Sequence, residues 1–172
     1  MWGVMLRSLF VILTIVLTAP ATTVFGESQP IFNGHDLAGW VHEGPRPTYS
    51  VHDGELRTDG SGDFPNWLRT GREFEDFRLR FEYKLARWAE AAVYLRAPRG
   101  GRPANTGVAV ILAHDFHHEV TEYVTGAVQG VLKPLRALPE SYEQWRSVEI
   151  DLRGEALKVA IDGTVVQDTN LS

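Results

Sequence analysis

Apolar and polar residues alternate with a period of two along several short stretches of this chain, and no long stretch carries the three-to-four spacing of a helix. In "FEDFRLRFEYKLA", Phe77, Leu79, Phe81, Tyr83 and Leu85 alternate with Arg78, Arg80, Glu82 and Lys84, which predicts a half-buried strand. "AAVYLRAP" places Val93 and Leu95 on one face and Ala92, Tyr94 and Arg96 on the other. "GVAVILAHD" is apolar on both faces, with Val108, Val110 and Leu112 opposite Ala109, Ile111 and Ala113, so it is expected at the centre of a sheet and covered on both sides. "SVEIDLRG" turns Val148, Ile150 and Leu152 inward. "ALKVAIDGTVVQD" predicts a hairpin around Asp162-Gly163, and "TYSVHDGELRT" carries a second Asp-Gly at Asp53-Gly54.

Between these pieces lie Gly- and Pro-rich segments. Residues 96–107, "RAPRGGRPANTG", are a loop by composition, and "VLKPLRALPESYEQ" holds a helical turn at most. Many short strands without a βαβ rhythm predict an antiparallel sandwich or jelly roll.

The first 26 residues break this pattern. Arg7 precedes an apolar run from Leu9 to Leu17, and two candidate cleavage sites follow at Ala19–Ala21 and Val24–Gly26. This is the layout of a secretory signal peptide, with residues 27–172 as the single folded domain. An uncleaved membrane anchor is the alternative, although the run falls short of the ~20 residues of a span. The expectation is a periplasmic or secreted bacterial protein with no stable membrane span after cleavage.

Composition narrows the chemistry. The 172 residues are 44% hydrophobic and 23% charged, enough for a packed core. A net charge of −5 argues against nucleic acid as a partner. The absence of cysteine removes disulfides, thiolate metal sites and cysteine nucleophiles.

The order of the segments resembles the 3-keto-disaccharide hydrolase domain family. "IFNGHDLAGW" is similar to that family's opening "LFNG-DL-GW", and "YSVHDGEL" to its "W-V-DG-L". "FEDFRLRFEYKL", "AAVYLR", "GVAVILAHD" and "TGAVQGVLKP" follow as counterparts of "Y-DFEL-FEYR", "NSGVYLR", "GYEVQILDD" and "TGALYGV-AP". "WRSVEIDLRGEALKVAIDGTVVQDT" matches "WN-YEI-VKGN-I-HWLNG-LV-D", so the likeness runs from about Ile31 to Asp168. It implies an all-β jelly-roll sandwich of two curved antiparallel sheets, whose concave sheet faces a sugar. The family's closing "G-IGLQ-HG--V-FRNI-I" strand pair does not occur before Ser172, so a domain lacking those strands is expected.

The resemblance also implies an activity. In a 3-keto sugar the carbonyl acidifies the C2 proton, and its removal lets the glycosidic oxygen leave C1. That route needs a base, a donor to the carbonyl oxygen and an acid for the leaving group, and no redox cofactor. Arg96 stands at the arginine of "NSGVYLR" and Asp115 at the last aspartate of "ILDD"; Glu90 or His114 is the expected proton carrier. Tyr94 and Trp145 are expected to touch substrate, the latter as one of the tryptophans Trp40, Trp67, Trp88 and Trp145, of which at most one is expected against a sugar ring. His114, Asp115, His117, His118 and Glu119 crowd one loop without HExxH spacing, so no metal is assigned. For Arg96 a surface ion pair is the competing reading, and for Asp115 a polar strand end.

The departures fall on polar positions. Glu90, Ala91 and Ala92 replace "NSG", Ala109 and Ile111 replace the Glu and Gln of "EVQI", Gln129 replaces a Tyr, and Arg146 replaces an Asn. The reading is therefore a sugar-directed hydrolase domain, with a non-catalytic glycan-binding module or an inactive paralogue as rivals.

Overall fold

The computed structural model describes residues 28–58, 66–99, 107–113 and 119–172. Within them the chain forms ten strands: β1 (Trp40–Glu43), β2 (Tyr49–His52), β3 (Glu55–Thr58), β4 (Trp67–Thr70), β5 (Phe77–Tyr83), β6 (Glu90–Leu95), β7 (Val108–Ala113), β8 (Arg146–Arg153), β9 (Ala156–Ile161) and β10 (Thr164–Asn170). All pairings are antiparallel, and no helix of the described residues is long and apolar enough to cross a membrane.

The largest sheet has the order β10-β9-β8-β5. Its inward faces are the ones the alternation predicts. Phe81, Tyr83, Val148, Ile150, Leu152, Leu157, Val159 and Ile161 are all buried in one core cluster. Each such aliphatic or aromatic side chain contributes about 1.5–3 kcal/mol by leaving water. The outward face of the same strands carries opposite charges directly across the ladder. Arg80 meets Glu149 at 2.6 Å and Arg78 meets Asp151 at 2.7 Å. Exposed pairs of this kind add little each, about 1 kcal/mol or less, but they keep the sheet in register and its outer face wet.

Opposite this sheet lie β6 and β7, a pair whose inward residues Leu95, Val110 and Leu112 join the same core. The far edge of β7 is also occupied. Ile111 N–H donates to the Ala127 carbonyl, Gly126 N–H to the Ile111 carbonyl and Gln129 N–H to the Ala109 carbonyl. β7 is thus central, as its two-sided hydrophobicity requires, and its second face (Ala109, Ile111, Ala113) is buried too, with Ala127 packed beside it.

The Asp-Gly pairs form tight hairpins. Asp53 and Gly54 have φ of 53° and 79° between β2 and β3, and Asp162 and Gly163 have 48° and 74° between β9 and β10. The opening "IFNGHDLAGW" is a turn held by its own side chains. Asn33 Oδ1 accepts from the His35 and Asp36 amides, and Asp36 Oδ1 accepts from Asn33 Nδ2 and the Ala38 amide.

Asp151 links this charge pattern to pH. Partial burial works to raise its pKa, but hydrogen bonds and charge from Arg78 and Arg153 outweigh burial and hold it below the ordinary 3.8. A carboxylate depressed in the folded state stabilises the fold above its unfolded pKa, and that contribution is lost as pH falls through the folded value. Melting temperature is therefore expected to fall between pH 5 and 3 more steeply in the wild type than in Asp151→Asn. Equal slopes in a pH series would refute the assignment.

Candidate functional site

On the face of β6–β7 turned away from the main core, the described residues are Glu90, Ala92, Tyr94, Ala109, Ile111 and Ala113. Four of these six are apolar, and Ala109, Ile111 and Ala113 are buried, so hydroxyl-binding chemistry on this face falls to Tyr94 and Glu90. The two are four residues apart on an extended strand, about 13 Å. They serve different places.

Tyr94 sits in an aromatic cluster. Its ring meets Trp67 of β4 edge-on at 5.9 Å and 72°. Tyr49 of β2 lies close enough for its phenol to feel Tyr94 electrostatically. Desolvation raises both phenol pKa values; for Tyr49 a hydrogen bond with the Leu68 backbone partly opposes this and the Tyr94 phenol adds to it. Both hydroxyls therefore stay protonated at neutral pH and can donate to an oxygen.

Beyond Tyr49 stands a histidine. The His42 ring of β1 packs against Tyr49 with centroids 6.0 Å apart. Asn66 Nδ2 donates to Thr48 Oγ1 at 2.6 Å, which turns Asn66 Oδ1 toward His42 Nε2 at 3.0 Å. An amide oxygen only accepts, so Nε2 carries a proton and Nδ1 holds the lone pair of the neutral ring. The register His42↔Leu68 and Glu43↔Trp67 puts His42 and Trp67 on opposite faces of the β1–β4 ribbon. Tyr49 stands beside this ribbon, its ring against His42 and its phenol hydrogen-bonded with the Leu68 backbone. On the Trp67 face, Arg69 Nε donates to Glu43 Oε1 at 2.7 Å.

Sequence reasoning missed His42, Asn66, Thr48 and Tyr49. The signal in the chain was weak: His42 lies in "WVHEG" and Tyr49 in "TYSVH", ordinary short-strand patterns. Only the pairing of β1 with β4 brings Asn66 to them.

Of the expected catalytic residues, Arg96 and Glu90 are described, and they stand at opposite ends of β6. β6 ends at Leu95, and Arg96 has φ of 52°, which breaks the alternation that would keep it on the Tyr94 face. Its guanidinium turns to the start of β5, where Nη2 lies 3.5 Å from Asp76 Oδ1 and 3.4 Å from the Glu75 carbonyl. Glu90 is exposed at the opposite end of β6, paired with Ala113. The strand between Glu90 and Leu95 spans about 17 Å, too far for Glu90 and Arg96 to serve one glycosidic bond. His114 and Asp115, with His117 and His118, lie outside the described residues. Among the described residues no three His, Asp or Glu side chains gather into a metal-binding group. Trp145 is exposed just before β8, with Lys84 Nζ 5.0 Å above its ring, in a different part of the sandwich from Tyr94.

A cavity of about 320 Å³ opens at the start of β7, lined by residues including Val108, Ala109, Gln129, Val131 and Leu171. Among the described residues no titratable side chain lines it.

Residues 27–172 match the family model described as a 3-keto-alpha-glucoside-1,2-lyase-like domain. Two crystal structures from Parabacteroides distasonis, each described as a "putative glycosyl hydrolase", share the fold with a TM-score of 0.70. One is 18% identical and the other 20%; the aligned parts cover 81% and 83% of this chain and 71% of each of theirs. Among curated proteins none matches. With a family match that takes in everything from residue 27 onward, the chain belongs to the 3-keto-alpha-glucoside-1,2-lyase-like domain family and is a carbohydrate-related, hydrolase-like all-β domain.

Proposed function

We propose that this domain cleaves 3-keto-glycosides, holding a sugar ring at the Trp67–Tyr94–Tyr49 cluster. The observation that carries the reading is the pair of protonated phenols beside an edge-on tryptophan, next to a histidine whose tautomer is set by Asn66. Aromatic faces pack against the C–H face of a sugar, while phenol hydroxyls donate to its oxygens. A donor placed on the C3 carbonyl stabilises the enolate that forms when C2 loses its proton.

The step balances as an elimination. A base takes the C2 proton, the C–H electrons form the C1–C2 double bond, the C1–O bond breaks and the leaving oxygen takes a proton. Water adding across the double bond then completes hydrolysis. His42 is the proton acceptor in contact with Tyr49. Glu90 would act at the other end of β6 on a second sugar ring. Arg96, tied to Asp76, would border the Tyr94 end. The N-terminal 26 residues support export, placing the domain outside the cytoplasm.

The test is release of free sugar from 3-keto-trehalose by the purified domain. Tyr94→Phe removes only the hydroxyl and is expected to lower kcat/KM about ten-fold, which corresponds to ~1.4 kcal/mol. Wild-type release no faster than buffer, with divalent metals supplied, would overturn the reading. The apolar, buried run Ala109–Ile111–Ala113 favours a second reading, a glycan-binding module. Binding of sugar without turnover would select it.

A further inference from the structure

Three large aromatic side chains stand exposed at the other end of the sandwich. Trp88 is 42% exposed, Trp145 39% and Tyr142 38%. They come from two segments, the β5–β6 crossover and the lead into β8, which are tied where Glu143 N–H donates to the Leu85 carbonyl at 2.7 Å. Cations are interleaved with the rings. The Arg87 guanidinium lies 5.3 Å from the Trp88 centroid and 5.7 Å from that of Tyr142, and Lys84 lies 5.0 Å from Trp145. Each cation caps a ring face and holds its orientation.

Trp88 is held there against its backbone preference. Ala89 N–H donates to the Ala86 carbonyl at 3.1 Å, closing a turn in which Trp88 is the third residue. Its φ is 66°, a value that suits Gly or Asn and disfavours a bulky side chain. A glycine would fit this turn better, so an indole at this φ points to a use for the ring.

We infer that this ridge is a second sugar-binding surface, separate from the Tyr94 cluster, which docks a neutral polysaccharide chain. Exposed, oriented rings suit the apolar face of successive sugar units. The two segments carry charges of both signs, Lys84 and Arg87 in one and Glu140 and Glu143 in the other. A mixed rim hydrogen-bonds hydroxyls, whereas a polyanion or a nucleic acid requires an excess of positive charge. The expectation of at most one tryptophan against sugar is thereby enlarged to three, Trp67 at the proposed site and Trp88 and Trp145 on this ridge.

Affinity electrophoresis in gels containing dextran or laminarin, with a polygalacturonate gel alongside, tests this surface. The full-length mature chain is expected to be retarded by at least one of the two neutral glucans, with the effect unchanged by salt. Trp88→Gly is expected to weaken that retardation about ten-fold while melting near the wild-type temperature, because the turn accepts glycine. Trp145→Ala provides an independent loss, and Tyr94→Phe is expected to leave retardation intact, which separates this ridge from the proposed catalytic cluster. No retardation by either neutral glucan, equal retardation of Trp88→Gly and wild type, or salt-sensitive retardation by polygalacturonate alone would overturn the proposal.

Discussion

Gly126→Ala is expected to destabilise the domain by about 2–4 kcal/mol, the sum of a backbone and a packing cost. Gly126 has φ of 82°, where an L side chain is disfavoured. A Cβ there would stand 2.7 Å from Val166 Cγ2 and 2.9 Å from Val166 Cβ, inside any real contact distance. Neither side can yield cheaply. Val166 is fully buried, and the Gly126 backbone is tied on both sides, its N–H donating to the Ile111 carbonyl and its carbonyl accepting from Gln167 Nε2 at 3.0 Å. A thermal melt is expected to shift down by roughly 5–15 °C. Adding Val166→Ala would remove the 2.7 Å contact with Cγ2 and leave both the 2.9 Å contact with Cβ and the φ cost, so the double variant is expected to lose less than the two single losses combined. An alanine variant that melts with the wild type would show that the close approach of Gly126 to β10 is wrong.

The second large effect concerns a buried charge. Asp162→Ala is expected to cost about 2–4 kcal/mol, toward the lower end of what breaking a buried pair costs because the aspartate is half exposed. Arg146 is only 6% exposed, and its Nε donates to Asp162 Oδ2 at 2.7 Å. The other carboxylate oxygen accepts from the Ser147 amide at 2.9 Å. Removing the carboxylate leaves the guanidinium buried with, among the described residues, a weak contact 3.4 Å from the Pro139 carbonyl. Asp162→Asn is expected to lose less than half as much, since asparagine tolerates the positive φ and still offers an oxygen. Arg146→Met in the alanine background is expected to recover stability by removing the stranded charge. Denaturant melts of the four proteins decide it; a double variant weaker than Asp162→Ala would sink the account. This pair also explains why an arginine can replace the Asn that the family resemblance leads one to expect after Trp145.

The candidate site was legible only in part. Tyr94 was readable, because period-two alternation assigns it to the face opposite Val93 and Leu95. Arg96 was not. One left-handed residue after Leu95 redirected its guanidinium toward Asp76, and alternation carries no warning of a strand end. His42, Asn66 and Thr48 were invisible for a different reason. Their hydrogen bonds join residues 24 and 18 positions apart, and a short polar residue in a short strand has no local mark of such a partner. The exposed rings of Trp88 and Trp145 were readable as tryptophans, while the placing of Lys84 over Trp145 comes from the joining of two distant segments; the cation at Trp88 is its own neighbour Arg87.

What the amino-acid sequence determined by itself was everything that depends on neighbours along the chain. Strand faces follow from backbone pleating, the two Asp-Gly hairpins from the residues that tolerate positive φ, and family membership from the order of the segments. What the tertiary structure decided was where the regular pattern is interrupted. The bulge between Val165 and Gln167 is the clearest case. Alternation alone would bury either Val166 or Gln167, yet both are buried, because the extra residue lets Val166 fill the core beside Gly126 while Gln167 Nε2 bonds the Gly126 and Lys133 carbonyls. That interruption is favourable only because the 126–135 segment is already folded against β7 and β10, and packing at such a distance leaves no periodic trace in the chain.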